Sequence, residues 1–348
     1  MHVWEEPVRG GYMEPGLLAL PGIEQMRTFL RRTGPIPPLA YLTGCRPTEF
    51  TMGGATFVMP STGWLQSPVG LITGGVLAVP GDGALGCAIN TGLPAGTTYT
   101  TSEISMSFLR PASVDSKLFI ARGKLIHGGR SLALSEATIE DGEGRLLAHS
   151  TSRCFVFPPM ESLPELPDLQ PWEEPEYETP PPFERPPVGE TLDQEVFDKM
   201  SGLEVMKALI DGELAAPPIY HLTGLHPTEA ADGTCTFTLH ASPWLTSPVG
   251  TVQGGFLLML ADVALASAVQ TTVPPGTAYA TVDIKVNYLR PAYGDGSELL
   301  AHAIVVHRGR NLAVARAEVV NAAGKVVCLA TGTSHILSGR NWAYEERA

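Results

Sequence analysis

The chain is written twice. Residues from about Gly22 to Phe157 reappear from Gly202 to Leu337 at a constant offset of 180, so that Pro38 matches Pro218, Trp64 matches Trp244, Gly75 matches Gly255, Asp82 matches Asp262 and Arg130 matches Arg310. An ungapped correspondence of that length is a duplicated domain, far too long to be one unit of a solenoid. Two copies in one polypeptide amount to a homodimer made covalent, and the seam between like halves is a place where residues of both can build one site.

The repeat divides the 348 residues into an N-terminal extension (1–21), a first domain (22–157), a connecting segment (158–190) and a second domain (191–348). Each domain is long enough to bury a core of its own. The connector holds eleven prolines and nine acidic residues against one basic residue, and so contributes −8 of the formal −13 charge. It reads as an extended, charged linker. The remaining body carries only about −5 and no basic stripe interleaved with aromatics, so neither nucleic acid nor an anionic membrane is expected as a partner.

Five cysteines with no Cys-x-x-Cys pair fit free thiols in a reducing compartment, and a cytoplasmic protein is expected. The stretch from Met1 to Pro21 lacks an apolar core of signal-peptide length, and no segment approaches the roughly 18 to 20 apolar residues of a membrane helix. Trp4, Tyr12 and the run Leu17 to Leu20 suit an arm packed over one domain.

Each copy opens with a short helical pattern, Ile23 to Leu30 and Leu203 to Ile210, followed by a proline-marked turn. A strand from Thr234 to His240 and a loop containing Ser-Pro-Val-Gly lead to a Gly-Gly pair. That pair opens the longest apolar segment, Phe256 to Ala268, which is apolar on every side and therefore a buried helix. The pattern then changes to period 2. Val282, Ile284, Val286 and Tyr288 face one way, and Thr281, Asp283, Lys285 and Asn287 the other. Further strands follow through Leu299 to His307, Leu312 to Asn321 and Lys325 to Leu337. The fold class is α+β, an antiparallel sheet wrapped around one very apolar helix in each domain.

The signature Gly-Gly-x6-Asp at the helix start, the run Tyr288-Leu-Arg-Pro-Ala292 and the turn His307-Arg-Gly-Arg310 make each repeat resemble a hotdog-fold domain of the PaaI-type acyl-CoA thioesterase family. The resemblance covers nearly all of both repeats but neither the linker nor the first twenty residues. Domains of that family work as dimers with joined sheets. The resemblance therefore implies two hotdog domains arranged as a fused pseudo-dimer, with a homodimer of such double chains as a further expectation.

Hydrolysis of a thioester needs an activated water or an attacking carboxylate, together with donors placed where charge builds on the carbonyl oxygen. Gly74-Gly75 and Gly254-Gly255 sit at helix N-termini, where free backbone N–H groups and the helix dipole favour an anionic oxygen. Asp82 and Asp262 follow a little over two helical turns later, in apolar surroundings that rarely hold an idle carboxylate. The resemblance gives this carboxylate the role of general base or nucleophile, and gives the hydroxyls of Thr101 and Thr281 the positioning of water. It also implies composite sites, Gly254 with Asp82 and Thr101, and Gly74 with Asp262 and Thr281.

Two departures stand out. Thr73 and Gln253 replace the family's His before Gly-Gly, and Ser67 and Ser247 replace its Asn. Pro80 and Gly81 are expected to kink the first copy's helix just ahead of Asp82, which makes the two sites unequal and Asp262 the better candidate. Plainer readings exist for each residue. Asp262 would bond to neighbouring backbone or to Ser267, Asp82 would serve a turn, and the pairs Gly74-Gly75 and Gly254-Gly255 would only permit tight helix–sheet packing.

Arg110, Arg290, Arg130 and Arg310 recur beside strand ends, where a guanidinium could hold the phosphates of coenzyme A or simply be solvated. His127 and His307 lack neighbours at ligand spacing, so no metal site is expected, and no Ser lies in a Gly-x-Ser-x-Gly elbow. Cleft depth is expected to depend on the surroundings of Trp64, Trp244, Met259 and Tyr288. The expected activity is hydrolysis of acyl-CoA to a free acid and coenzyme A, with no cofactor beyond the coenzyme A of the substrate. The alternatives are an acyl-CoA-binding protein without turnover, and a dehydratase or hydratase of the same fold, whose Asp-x-Asn-Pro-x-His and His-Phe-Pro type motifs are absent.

Overall fold

The computed structural model describes residues 2–338, so residues 339–348 of the second domain lie outside the described residues. Its strands are β1 (Arg46–Thr51), β2 (Gly54–Pro60), β3 (Tyr99–Phe108), β4 (Leu118–Gly128), β5 (Leu132–Asp141), β6 (Leu146–Val156), β7 (His226–Ala231), β8 (Thr234–His240), β9 (Thr277–Tyr288), β10 (Glu298–Arg308), β11 (Leu312–Asn321) and β12 (Val326–Ser338). They form one antiparallel sheet in the order β1-β2-β4-β5-β6-β3-β9-β12-β11-β10-β8-β7. Six strands come from each copy, and the halves meet at β3 and β9. Ser105 lies opposite Lys285 there. These two positions are equivalents in the repeat, so a pseudo-twofold axis runs between them.

The helices are α1 (Gly22–Arg31), α2 (Pro38–Thr43), α3 (Ala78–Asn90), α4 (Gln194–Lys199), α5 (Gly202–Ile210), α6 (Pro218–Thr223) and α7 (Gly254–Gln270). The proline-marked turns are in fact the short helices α2 and α6. Each carries Pro at its first position, where the missing N–H is harmless, and ends on a left-handed glycine, Gly44 or Gly224. The long apolar segment is α7, buried without a break from Gly255 to Leu265. Its counterpart α3 is not kinked as expected. Gly74–Leu77 form a 3-10 turn and the α-helix begins only at Ala78, so Pro80 falls in the first turn, where its ring and absent donor are tolerated.

The two long helices abut at their N-termini. A Cβ added to Gly255 would stand 2.5 Å from the Ala78 carbonyl oxygen, and one added to Gly75 would stand 2.7 Å from the Met259 Cα. Glycine at both positions is what lets the two backbones touch.

The N-terminal arm lies over the second domain. Trp4 stacks on His240 at 4.3 Å, and the Trp244 indole N–H donates to the Glu6 carbonyl at 3.0 Å. The end of the linker does the same for the first domain. The Trp64 indole N–H donates to the Arg185 carbonyl at 2.8 Å, and Phe183 lies against Gly44 as Trp4 lies against Gly224. The two segments are therefore equivalent straps, each preceding one domain and covering the other. The linker is docked as well as extended. The Trp172 N–H donates to the Arg32 carbonyl, and the Tyr41 hydroxyl donates to Glu174.

Alanine at Gly75 or Gly255 should push the two helix starts apart and destabilise the protein by roughly 1–3 kcal/mol. Thermal unfolding of each variant beside wild type measures this, and an unchanged midpoint would contradict the contact.

Candidate active site

Each Gly-Gly pair is capped by the carboxylate of the other domain. The Gly255 N–H donates to Asp82 Oδ2 at 3.1 Å, and the Gly75 N–H donates to Asp262 Oδ2 at 2.8 Å. The carboxylates cross the seam in the sense that the resemblance implies, but the amide bonded with ordinary geometry is that of the second glycine of each pair, Gly255 or Gly75, and not Gly254 or Gly74. The cause is local. Two free amides at a helix N-terminus point along the helix axis toward the neighbouring helix, and eight residues on from each Gly-Gly start the chain supplies an acceptor.

The two copies then diverge. A cavity of about 1040 Å³ opens beside Asp82, and Thr101, Ser247, Gln253, Gly254 and Arg290 line it. Asp262, Gly74, Gly75, Thr73 and Thr281 do not line it, and Asp262 is only 2% exposed. The cavity thus lies at Asp82, the carboxylate that the sequence ranks second, where the glycines of α3 leave room. Gly83 and Gly86 face the cavity where the second copy has Val263 and Ala266. A Cβ on Gly83 would meet the Phe57 ring at 3.1 Å, and one on Gly86 would meet the Tyr99 hydroxyl at 2.8 Å.

Burial pushes the Asp82 carboxyl up to about 6, against the pull of the Gly255 and Gly254 amides, which favour its charged form. Burial likewise pushes Asp262 up to about 6, opposed by the Gly75 amide and by Thr281. Asp262 Oδ1 and the Thr73 hydroxyl have no hydrogen-bond partner of ordinary geometry. Gln253 donates from Nε2 to the Val79 carbonyl at 3.0 Å, a further tie between domains, and leaves its Oε1 unpartnered. The Tyr288 hydroxyl, also on the cavity wall, donates to the Gly254 carbonyl at 2.8 Å.

The strict alternation read from the sequence puts Thr281 on one face with Asp283 and Lys285, and by repeat Thr101 with Glu103. A bulge at Ser102 breaks the register between Thr101 and Glu103, and one at Val282 separates Thr281 from Asp283. Each bulge re-aims its threonine inward. Thr101 thereby reaches the cavity wall, and Thr281 approaches Asp262.

Several candidates lie elsewhere. Ser67 is absorbed in its own turn, donating to the Leu71 carbonyl at 2.7 Å, whereas Ser247 lines the cavity and bonds Thr251. Arg110 is exposed and spent on the Leu146 carbonyl, and Arg130 and Arg310 are exposed in turns away from the cavity. Arg290 makes the equivalent bond, to the Val326 carbonyl at 2.6 Å, but also lines the cavity, joined by Arg32 and Arg46, which the sequence had not singled out. Trp64, Trp244 and Met259 are core residues, so of the four expected to set cleft depth only Tyr288 reaches the cavity. The missed glycines had a signal in plain view, the positions at which the copies disagree.

Against known proteins, the model of the thioesterase superfamily matches twice, at residues 69–148 and 249–328. A Halobacterium salinarum protein provisionally named an esterase is 35% identical over 33% of this chain and 78% of its own length. The acyl-coenzyme A thioesterase PaaI of Escherichia coli is 32% identical over 31% of this chain and 74% of its own. Among solved structures, a tesB protein from Mycobacterium avium covers 86% of this chain and 97% of its own at 16% identity, with a TM-score of 0.53, a likeness of tandem fold. With two matched domains, their sheets joined and their helix starts capped across the seam, this chain belongs to the thioesterase superfamily.

Proposed function

We propose that the chain is an acyl-CoA thioesterase working through a single site, Asp82 of the first domain with the Gln253-Gly254-Gly255 helix start of the second. The observation that carries this reading is the cavity beside Asp82 and its absence of contact with Asp262. Asp82 acts as general base. The Gly255 N–H holds its Oδ2, and the other oxygen takes a proton from water. Thr101 orients that water from the bulged strand. The thioester carbonyl lies at the start of α7, where the helix dipole stabilises the oxyanion, and the Gly254 N–H, which in the free protein also bonds the Asp82 carboxylate, turns to it when substrate binds. Collapse of the tetrahedral intermediate breaks the C–S bond, and the proton held by Asp82 passes to the leaving thiolate. Arg32, Arg46 and Arg290 at the cavity wall suit the phosphates of coenzyme A. No cofactor enters beyond the substrate's own coenzyme A.

Asp262 keeps a structural role in this reading, as cap to the Gly75 amide in a closed copy of the site.

Asp82→Asn should lower kcat by about 10²–10⁴ while a non-hydrolysable acyl-CoA thioether still binds. Thiol release measured beside calorimetric binding checks this, and turnover that survives the substitution would refute the assignment. In wild type, kcat/KM should rise with pH until the carboxyl is ionised and level off above about 6.

Asp262→Asn should leave thiol release within about twofold and change stability instead. A carboxyl whose folded pKa is raised binds its proton more tightly folded than unfolded. Wild type therefore loses stability as pH climbs from about 4 toward about 6. The amide escapes that loss, and above pH 6 the variant should be more stable by up to roughly 3 kcal/mol. Denaturant midpoints at pH 4.5 and 7.5 measure the difference.

A further inference from the structure

The cavity wall that runs from Gly86 to the end of α3 carries polar groups with open hydrogen-bonding capacity. Asn90, at the last turn of α3, is 6% exposed, and Thr97, just beyond it, is 4% exposed. Both line the cavity, and neither side chain hydrogen-bonds to any described residue. The Tyr99 hydroxyl beside Gly86 is likewise free. Gln25 of α1, 2% exposed on the same wall, uses its Nε2 on the Leu20 carbonyl and leaves its Oε1 open. A buried polar group left without a partner is costly and uncommon, and Thr97 Oγ1, with the open groups of Gln25, Asn90 and Tyr99 beside it on one cavity wall, points to something that pairs them.

The second copy shows the satisfied alternative. There Gln270 replaces Asn90, and its longer side chain accepts a hydrogen bond from the Tyr279 hydroxyl at 2.9 Å, while Val205 replaces Gln25. In the first copy Asn90 is one methylene too short to make that bond, so amide and phenol both remain available to a ligand.

We propose that this floor is a subsite for a neutral hydrogen-bonding group, a hydroxyl or carbonyl, at the distal end of the acyl chain. The proposal rests on the thioesterase reading for the identity of the chain but not for the chemistry of the floor. None of Gln25, Asn90, Thr97 and Tyr99 contributes a cation or an anion, so a distal carboxylate or amine has no counter-ion among them. Both donors and acceptors are present, which suits a hydroxyl best. From Asp82 to Asn90 α3 advances about 12 Å. An extended chain advances about 1.2 Å per bond, so the matching acyl group has roughly eight to ten carbons.

The test compares ω-hydroxyoctanoyl- and ω-hydroxydecanoyl-CoA with octanoyl- and decanoyl-CoA, as thioesters for turnover and as thioethers for affinity. The ω-hydroxy thioether should bind about tenfold more tightly than its methyl-terminated match, two net hydrogen bonds against none. Gln25→Val, which installs the residue found at position 205, and Asn90→Leu should each bring that ratio toward one. If Asn90→Leu does not fold, Gln25→Val decides. A wild-type ratio of one, or a ratio that survives the substitutions, overturns the subsite. Selective thioether binding with no thioester turned over would keep the subsite and sink the thioesterase reading, and turnover with a ratio of one would do the reverse.

Discussion

Everything at the seam depends on two hydrogen bonds that cross it, a glycine amide of one domain to an aspartate of the other. Each joins a helix start that needs an acceptor to a buried carboxylate that needs donors. Neither need is met inside a single domain. The continuous sheet through β3 and β9 sets the distance between the helices, and the glycines let that distance be short enough. Site and interface are thus the same contact, and a half-molecule would possess neither.

Within that frame the two copies spend their helices differently. α7 is built of strong helix formers and fills its half of the core. α3 carries Pro80 and Gly81 in its first turn, and Gly83 and Gly86 beyond it, the last two unfavourable in a helix by about 1 kcal/mol each. Such a helix persists because strands of its own half and the partner helix hold it on several sides. What it gives up in propensity becomes open volume beside Asp82.

Most of the architecture was legible in the sequence. Period 2 in Thr281 to Tyr288 and the all-round apolar character of Phe256 to Ala268 identify strand and buried helix, and the offset of 180 identifies the pseudo-dimer. The pairing of Asp82 with the second domain's glycines followed from resemblance. The bulges that turn Thr101 and Thr281 inward were not legible, because an extra residue leaves the composition of a strand unchanged and declares itself only in register. That the cavity lies at Asp82 and not at Asp262 was not legible for a related reason. A helix that looks damaged when read for propensity is one that leaves space when read for volume, and single-sequence patterns report the first. The straps escaped notice because Trp4 and Phe183 share position without sharing identity.

At the pseudo-twofold axis, a residue meets its own equivalent. Glu6 and Arg185 occupy matching places on the two straps, and one Arg185 nitrogen donates to both Glu6 oxygens, at 2.8 and 2.9 Å. Lys285 meets Ser105 across the sheet, with Glu103 4.0 Å from its ammonium. Two identical halves could hold neither arrangement, since Glu6 would face another glutamate and Lys285 another lysine. Joining the halves in one chain releases the axis from self-complementarity. The contacts nearest the axis thereby become a lock and key between unlike parts, and a stray copy of either half is a poor substitute for the tethered one.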